Sequence, residues 1–338
     1  MSPYLGLVTA AGDEETGVER HAGNFLRKAG FTPVRRWVRP RPLAKGETIG
    51  IAAPSGWVGG IRDKVEGGIA VIEAMGYQVK RGRHLYDEWM GLAGPHAARL
   101  EDWNGMLRDP DVRMVMAATG GSGCLAIVDG LDFAAFAEDP KWVSGMSDLT
   151  IFLNALSWRT GVETLHGPDV AFSFGVEHRR EFEAPLFQRF MSVDGLRGPL
   201  PLGDVRVLRP GTANGRLFGG TLSVLGYLMA TPWAPDLTDA ILVLEGWSLG
   251  TATVHRWLQV LRMQGKLAQL RAMVLGNWSG CFQGESDPGA ALTALVLDAC
   301  AGTDFPIIQV DRIGHDTVNV PWPVGALAEV SESGITLT

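Results

Sequence analysis

The chain alternates short apolar runs with amphipathic stretches, and this alternation constrains its fold more than any other feature. The runs "TIGIAAP" (48–54), "VRMVMAAT" (112–119) and "AILVLEG" (240–246) contain few polar residues, as strands covered on both faces do. The segment between the first two, "IRDKVEGGIAVIEAMGY" (61–77), has apolar residues at helical spacing. Strands and helices in this order predict an α/β protein with parallel sheets.

Two blocks of this alternation are separated by a stretch rich in Gly and Pro, "SVDGLRGPLPLGD" (192–204), which we interpret as a linker. We predict an N-terminal parallel-sheet domain of the flavodoxin or Rossmann type over residues 43–191. A C-terminal α/β domain with a β-rich tail is expected over residues 205–338. Residues 1–42 form an extension that can be interpreted as a βα unit packed on the first domain, or as a chance similarity to one.

Composition and charge narrow the classes of protein that the chain can belong to. Its net charge is −7, and it has no run of Lys and Arg interleaved with aromatic residues, which argues against a nucleic-acid partner. The N-terminus has no basic region followed by an apolar run, and no segment has the apolar length of a membrane span. We therefore expect a cytoplasmic protein with no membrane partner.

The three cysteines, Cys124, Cys281 and Cys300, are far apart and show no CxxC spacing. An odd number at such distances argues against a disulfide framework and against a zinc site. This cysteine usage is typical of a reducing compartment.

The segment "MVMAATGGSGCLAIV" (114–128) breaks on three glycines and then becomes helix-like, which leaves three interpretations. Gly121 to Ala126 fit the dinucleotide-binding pattern G-x-G-x-x-A, but the acidic residue expected about 20 positions later is only doubtfully supplied by Asp148. The glycines could instead form a plain tight turn before a buried cysteine. The third interpretation is a nucleophile elbow that presents Cys124 at the ligand crevice.

An elbow would give the Cys124 thiol a favourable environment. The N-terminus of a helix supplies free N–H groups and a positive dipole end, which stabilise a thiolate. An ordinary cysteine pKa of about 8.5 then needs only a modest downward shift. Ser122 is an alternative nucleophile on the same turn, and either residue needs a base from elsewhere in the chain.

Ordered segments from residue 43 to the end resemble the LD-carboxypeptidases of peptidase family S66 and the related microcin C immunity hydrolases. They stand where the family has its opening strand, its glycine motif with the nucleophile, and its Asp, His, Asn, Glu and second His motifs. The segments are "LAKGETIGIAAPSG" (43–56), "VMAATGGSGCLAIVDGLDF" (115–133), "VSGMSDLTIFLNAL" (143–156), "TLHGP" (164–168), "GRLFGGTLSVLGYLMATPWAPD" (215–236), "LVLEGW" (242–247) and "GHDTVNVPWPVGA" (314–326).

This resemblance implies a Cys-His-Glu triad at the interface between the two domains. The family's serine position falls on Cys124, its glutamate on Glu245 and its histidine on His315. The residues agree with these roles, because a carboxylate at the end of an apolar strand can orient an imidazole in a glycine-flanked loop. The backbone N–H groups of Gly121 and Leu125 are the candidate oxyanion donors.

Four further residues in the matched segments are candidate substrate-binding residues. Ser122, Asp148, His166 and Thr221 are named in this role, although turn and helix-cap hydrogen bonding explains Asp148 and His166 equally well. The chain departs from the family pattern at Thr119, at Thr221 and at Gly246, where the family has a basic residue, an asparagine and an aspartate.

The resemblance implies an enzyme that acts on a small peptide or amide, without a cofactor or a metal, as a homodimer. The family's usual substrate is the L,D-peptide bond before a terminal D-alanine. We expect hydrolysis or exchange of such a bond through an acyl-enzyme on Cys124. The alternatives are an acyltransferase or cyclase that uses the same thioester, and a non-catalytic binding protein on the same scaffold.

Overall fold

The computed structural model describes residues 37–192 and 197–338, in which helices cover two sheets. Most of the extension predicted for residues 1–42, with its βα unit, lies outside the described residues. At the start of the described chain Val38 bridges to Val162, and Arg39 forms an ion pair with Glu163. The proposed domain limits stay a prediction.

The strands and helices follow the order expected from the sequence. The strands are β1 (Thr48–Ala52), β2 (Gln78–Arg81), β3 (Val112–Ala117), β4 (Trp142–Gly145), β5 (Thr164–His166), β6 (Gly198–Pro199), β7 (Val205–Arg209), β8 (Ala213–Thr221), β9 (Ala240–Trp247), β10 (Ala272–Ser279), β11 (Ile307–Val310), β12 (Trp322–Val324), β13 (Leu327–Ser331) and β14 (Gly334–Leu337). The α-helices are α1 (Arg62–Ala74), α2 (His96–Arg108), α3 (Phe133–Glu138), α4 (Thr150–Thr160), α5 (Glu177–Phe190), α6 (Leu222–Met229), α7 (Thr251–Met263) and α8 (Pro288–Ala299).

The first sheet, sheet A, has the strand order β12–β5–β4–β3–β1–β2. All of its strands run parallel except β12, which is antiparallel to β5. The apolar strand β3 lies inside the sheet and is buried over almost its whole length, as its composition predicts. The N-terminal parallel sheet is thereby confirmed, whereas the C-terminal origin of β12 was not foreseen.

The second sheet, sheet B, has the order β6–β14–β13–β8–β9–β10–β11–β7. Its centre, from β8 to β11, is parallel, and the strands on both sides are antiparallel. The tail of the chain supplies β13 and β14, which confirms the predicted β-rich tail.

Helix α1 shows how the apolar pattern becomes a packed face. Its predicted apolar residues are all buried (Val65, Ile69, Ile72 and, just past its end, Met75). The helix ends before Gly76, whose φ of +94° is a conformation that glycine adopts without strain.

Helix α4 connects the two sheets. Its residues Thr150 to Ser157 are buried, as expected for an apolar helix covered on all sides. The Asn154 amide donates to the Gly219 carbonyl at 2.7 Å and accepts the Gly219 N–H at 3.0 Å, so both of its polar groups bond to β8. One turn earlier, the Thr221 N–H donates to the Thr150 hydroxyl at 3.1 Å. Helix α4 therefore fixes the end of β8 relative to the segment that precedes the helix.

Candidate active site

The predicted site residues lie at the carboxyl ends of parallel strands, where open α/β sheets bind ligands. In sheet A, β3 leads into the glycine turn with Cys124, β4 is followed by Asp148, and β5 ends at His166. In sheet B, β8 ends at Thr221 and β9 contains Glu245 near its end.

The glycine turn packs so closely on the segment after β1 that side chains would not fit. The Gly56 N–H donates to the Gly120 carbonyl at 3.1 Å. Gly121 has a φ of +140°, and a Cβ there would lie 2.5 Å from the Gly56 nitrogen. The chain then enters a 3-10 helix, Cys124–Gly130, which is the helix-like segment that the sequence predicted.

The Asp148 carboxylate holds the start of this 3-10 helix. Its Oδ2 accepts hydrogen bonds from the Gly123 N–H at 2.6 Å, the Cys124 N–H at 2.8 Å and the Ser55 hydroxyl at 2.6 Å. The two N–H groups that a phosphate or a thiolate would use are therefore bonded to a carboxylate. This arrangement argues against the dinucleotide-binding interpretation.

The Cys124 thiol is fully buried, within hydrogen-bonding reach of the Asp148 carboxylate and the Ser55 hydroxyl. Burial raises the thiol pKa well above its ordinary value, and the negative charge of Asp148 raises it further, whereas Arg99 acts in the opposite direction. The expected shift toward a thiolate near neutral pH is therefore wrong. The physical reason is first the burial of the thiol and then the Asp148 carboxylate, which accepts the N–H groups at the start of the helix.

Arg99 holds the glycine turn by hydrogen bonds to backbone carbonyls, and this residue was not identified from the sequence. Its side chain is buried, and Nη1 donates to the Pro54 carbonyl at 2.5 Å and the Gly123 carbonyl at 2.9 Å. Nε donates to the Gly94 carbonyl at 3.1 Å. The sequence carries no local signal for this role, because two of these carbonyls are 24 and 45 residues away.

Glu245 and His315 form a hydrogen-bonded pair, as the resemblance implies. His315 Nδ1 lies 2.8 Å from Glu245 Oε2, and the Thr221 hydroxyl donates to the other carboxylate oxygen, Oε1. Burial of Glu245 would raise its pKa, but the hydrogen bond and charge of His315 and the hydroxyl of Thr221 outweigh burial and lower the pKa. The carboxylate is therefore ionised and held at both oxygens.

The loop that carries His315 reaches Glu245 through a glycine and a buried amide. Gly314 has a φ of +122°, and a Cβ there would lie 2.9 Å from Glu245 Oε2. The Gly314 N–H donates to the Asn319 side chain at 3.0 Å, and the Asn319 N–H donates to Glu183 at 3.2 Å. Neither Gly314 nor Asn319 was identified as a candidate, although both lie in the quoted segment 314–326.

The remaining surface of His315 faces a tryptophan. The Trp247 and His315 rings are stacked, with centroids 5.5 Å apart and planes at 20°. Trp247 is 52% exposed, and the His315 side chain is 16% exposed. In the described part of the chain, Nε2 of His315 has no hydrogen bond, so this nitrogen is free to exchange a proton.

The structure brings the predicted residues together in two groups. Cys124 and Asp148 form one group, and Thr221, Glu245 and His315 form the other. The start of α4 connects them, because Thr150, two residues after Asp148, accepts the Thr221 N–H.

Several predicted contacts are not present between these groups. Among the described residues, no hydrogen bond joins the Cys124 thiol to His315, and none is made by the exposed Ser122 hydroxyl. Leu125 is 38% exposed and occupies the second position of the 3-10 helix, where a backbone N–H has no intrahelical partner. The oxyanion roles of Leu125 and Gly121 stay predictions.

His166 is completely buried, and neither of its ring nitrogens has a hydrogen-bond partner among the described residues. Its ring stacks on Trp322, with centroids 4.9 Å apart and planes at 20°. Burial lowers its pKa to about 4, which Glu245 partly opposes, so the imidazole is neutral at neutral pH. A buried polar group without a partner costs about 1–3 kcal/mol, so its presence requires an explanation.

Two further features bear on the classes of site that the chain offers. Within residues 37–192 and 197–338, no helix combines the length and apolar character that crossing a membrane requires. Over the same ranges, no three His, Cys, Asp or Glu side chains are grouped so that they could hold a metal ion.

Comparisons with known proteins identify the family of the chain. Residues 49–167 match the LD-carboxypeptidase N-terminal domain and residues 214–330 the LD-carboxypeptidase C-terminal domain, together more than two thirds of the chain. The "probable murein peptide carboxypeptidase" of Bacillus subtilis (strain 168) is 29% identical over 87% of this chain and 91% of its own length.

Another relative and a solved structure extend the likeness. The murein tetrapeptide carboxypeptidase of Pseudomonas aeruginosa is 29% identical over 79% of this chain and 88% of its own. The crystal structure of an MccF-like protein from Bacillus anthracis superposes with a TM-score of 0.80 at 25% identity, over 89% of this chain and 99% of that one. The chain belongs to the LD-carboxypeptidase family, peptidase family S66.

Proposed function

We propose that the chain is a hydrolase that cleaves a peptide or amide bond through a thioester on Cys124. His315 serves as the general base and acid, and Glu245 orients it. One observation carries the proposal: His315 Nδ1 is 2.8 Å from a buried, ionised carboxylate. A carboxylate in this position fixes the tautomer that leaves Nε2 free to accept a proton.

The protonated state of Cys124 decides how it attacks. Because its thiol pKa is raised, the resting enzyme has S–H rather than a thiolate. The thiol proton passes to Nε2 of His315 as the Cys124 sulfur bonds to the substrate carbonyl, whose oxygen becomes the oxyanion. The thiol must move away from Asp148 for this step. Hydrogen bonds between a nucleophile and its base often form only when substrate binds.

The rest of the cycle follows from the same two residues. As the oxyanion collapses, the C–N bond breaks, and His315 returns its proton to the departing amine. A water molecule gives one proton to His315 as its oxygen attacks the thioester; the C–S bond then breaks, the acid is released, and His315 returns the proton to the sulfur to restore the thiol. Backbone N–H groups at Gly121 and Leu125 are the proposed oxyanion donors, each worth about 3 kcal/mol of barrier.

Acyl transfer is the second candidate, because the family resemblance puts Cys124 at the position of the family's serine. A thioester reacts with amines, relative to water, more readily than an oxyester does. An acyltransferase or cyclase would use the same residues and pass the acyl group to an amine.

The test is product analysis by mass spectrometry, with peptides ending in D-alanine, in the presence and absence of an added amine. Release of D-alanine by the wild type and not by Cys124→Ala supports hydrolysis, and an amide product supports acyl transfer. Cys300→Ala is the matched control, since Cys300 is also buried and lies outside the site. Full activity of Cys124→Ala would exclude Cys124 and favour Ser122, and peptide binding without turnover by the wild type would favour the binding-protein interpretation.

A homodimer and a cytoplasmic location remain proposals drawn from the family resemblance and the sequence. Analytical ultracentrifugation of the full chain tests the first, and fractionation of cells that express it tests the second.

A further inference from the structure

The strongest unexplained feature of the described chain is the stack of His166 on Trp322. These residues are direct neighbours on the antiparallel strands β5 and β12, so their side chains lie on the same face of sheet A. Both side chains are fully buried. His166 Nδ1, His166 Nε2 and Trp322 Nε1 have no hydrogen-bond partner among the described residues.

The side to which His166 points follows from the strand. Residues 164 and 166 of β5 lie on the same face, because side chains alternate along a strand. The Thr164 hydroxyl donates to the Leu153 carbonyl of α4, so this face is the one covered by α4. Helix α4 also bonds to β8, whose last residue, Thr221, donates to Glu245.

His166 therefore points toward the Glu245–His315 pair. The pKa of His166 agrees with this placement, since Glu245 raises it and His315 lowers it, although burial has the larger effect. On the side of β4, its neighbour in the sheet is Gly145, which contributes no side chain. The stack thus lies on the side of sheet A that faces the proposed general acid, His315. Its ring nitrogens have no hydrogen-bond partner among the described residues.

We propose that the His166–Trp322 stack binds the free carboxylate of the residue that is released, with an N–H of His166 donating to it. This inference rests on the proposed function, in which His315 protonates the leaving nitrogen. In a C-terminal residue, the carboxylate is attached to the carbon that carries this nitrogen. A group beside His315 is therefore in the position to contact that carboxylate.

The carboxylate near the stack is already occupied. Both Glu245 oxygens have partners, His315 and the Thr221 hydroxyl, and Glu245 makes no hydrogen bond to His166. The other nearby acid, Asp169, accepts the Phe172 and Ser173 N–H groups and so leaves His166 unpaired. A bound carboxylate would give His166 the partner that it lacks and would favour its protonated form.

The test compares two peptides that differ only at the terminus, one ending in D-alanine as the free acid and the other ending in D-alaninamide. We expect the wild type to prefer the acid in kcat/KM by about 10- to 100-fold, the range for a hydrogen bond to a charged group. In His166→Phe the preference falls to about 1. His166→Gln, which keeps an N–H donor, retains an intermediate preference.

The ratio separates recognition from a structural role. If His166 only supported the fold, both peptides would lose activity equally and the acid-to-amide ratio would stay at its wild-type value, which would overturn the proposal. His84→Gln is the matched control, since His84 lies beside Asp87 and Glu101 outside the site, and it should leave both rates unchanged.

Binding of D-alanine and D-alaninamide, measured by calorimetry, gives a second readout that needs no turnover. If the wild type cleaves neither peptide, the proposed function fails, and a preference for D-alanine that His166→Gln weakens still supports the carboxylate site. Equal affinity of the wild type for both compounds would overturn it.

Discussion

The Glu245–His315 pair and the Cys124 turn lie at the ends of strands in different sheets, and they differ in what their polar groups contact. Both Glu245 oxygens are bonded to groups that keep it ionised, and His315 has one nitrogen free. The Cys124 thiol, in contrast, lies beside the Asp148 carboxylate and makes no hydrogen bond to His315 in the described part of the chain. The proposed base is therefore held in position in the resting protein, whereas the proposed nucleophile is protonated and buried.

This difference bears on the proposal that Cys124 acts at the position of the family's serine. A serine hydroxyl is protonated in the resting state and gives up its proton only during attack. The environment of Cys124 imposes the same state on a thiol. As proposed, a cysteine nucleophile at that position requires no thiolate ion pair at rest, and the four predictions below test this contrast.

Glu245→Gln should have the largest effect. The neutral amide cannot stabilise the protonated His315, and its N–H₂ favours the wrong imidazole tautomer. We expect kcat to fall by about 10⁴-fold, as for the corresponding exchange in a Ser-His-Asp triad. Steady-state kinetics measures this, and circular dichroism shows whether the variant folds; near-normal turnover by a folded Glu245→Gln would remove this pair from the mechanism.

Thr221→Val should lower kcat by a smaller factor, about 10-fold, since one charge-assisted hydrogen bond is lost. The Thr221 hydroxyl helps to depress the Glu245 pKa, so its removal raises that pKa. The carboxylate is then lost at a higher pH, and the acidic limb of the pH–rate profile moves upward. A Thr221→Ser variant keeps the hydroxyl and should keep the profile; an unshifted limb in Thr221→Val would contradict the assigned contact.

Asp148→Asn should make the Cys124 thiol easier to ionise. Removing the negative charge lowers the thiol pKa, and each unit of decrease gives about tenfold more thiolate at a fixed pH. We expect faster alkylation of Cys124 by a small thiol reagent, measured by peptide mass spectrometry, with some loss of stability because the amide accepts the turn's hydrogen bonds less strongly. Slower or unchanged alkylation in a folded variant would show that Asp148 does not suppress the thiolate.

The smallest expected effect is the difference in alkylation rate among the three cysteines of the unmodified protein. Because burial raises the pKa of all three cysteines, Cys124 should be alkylated no faster than Cys281 or Cys300 near pH 7. Its rate should keep rising through pH 9, since the thiol has not yet ionised. Selective labelling of Cys124 at neutral pH would mean that an activated thiolate exists in solution.

The sequence predicts the main strands and helices well, because apolar periodicity is a local property. The buried face of α1 and the fully covered β3 follow from it directly. The pairing of Glu245 with His315 was predicted from matched motifs and the chemistry of a strand-end carboxylate, and the structure has this hydrogen bond.

The surroundings of Cys124 could not be predicted in the same way. They depend on Asp148, Ser55 and Arg99, which come from separate elements and meet only after folding. Thr221 shows a similar limit. It was expected to bind substrate, but its single hydroxyl proton is donated to Glu245, a contact that requires β8 and β9 in register.

Strand β12 has a consequence for the order in which the protein is completed. It is made more than 150 residues after β5, yet it covers the edge of β5 and places Trp322 on His166. During synthesis, this edge of β5 therefore stays without its β12 partner until the ribosome has made residues 322–324. A chain stopped before residue 322 contains His166 but lacks the strand that carries Trp322, so truncated products cannot form the stack of these two rings.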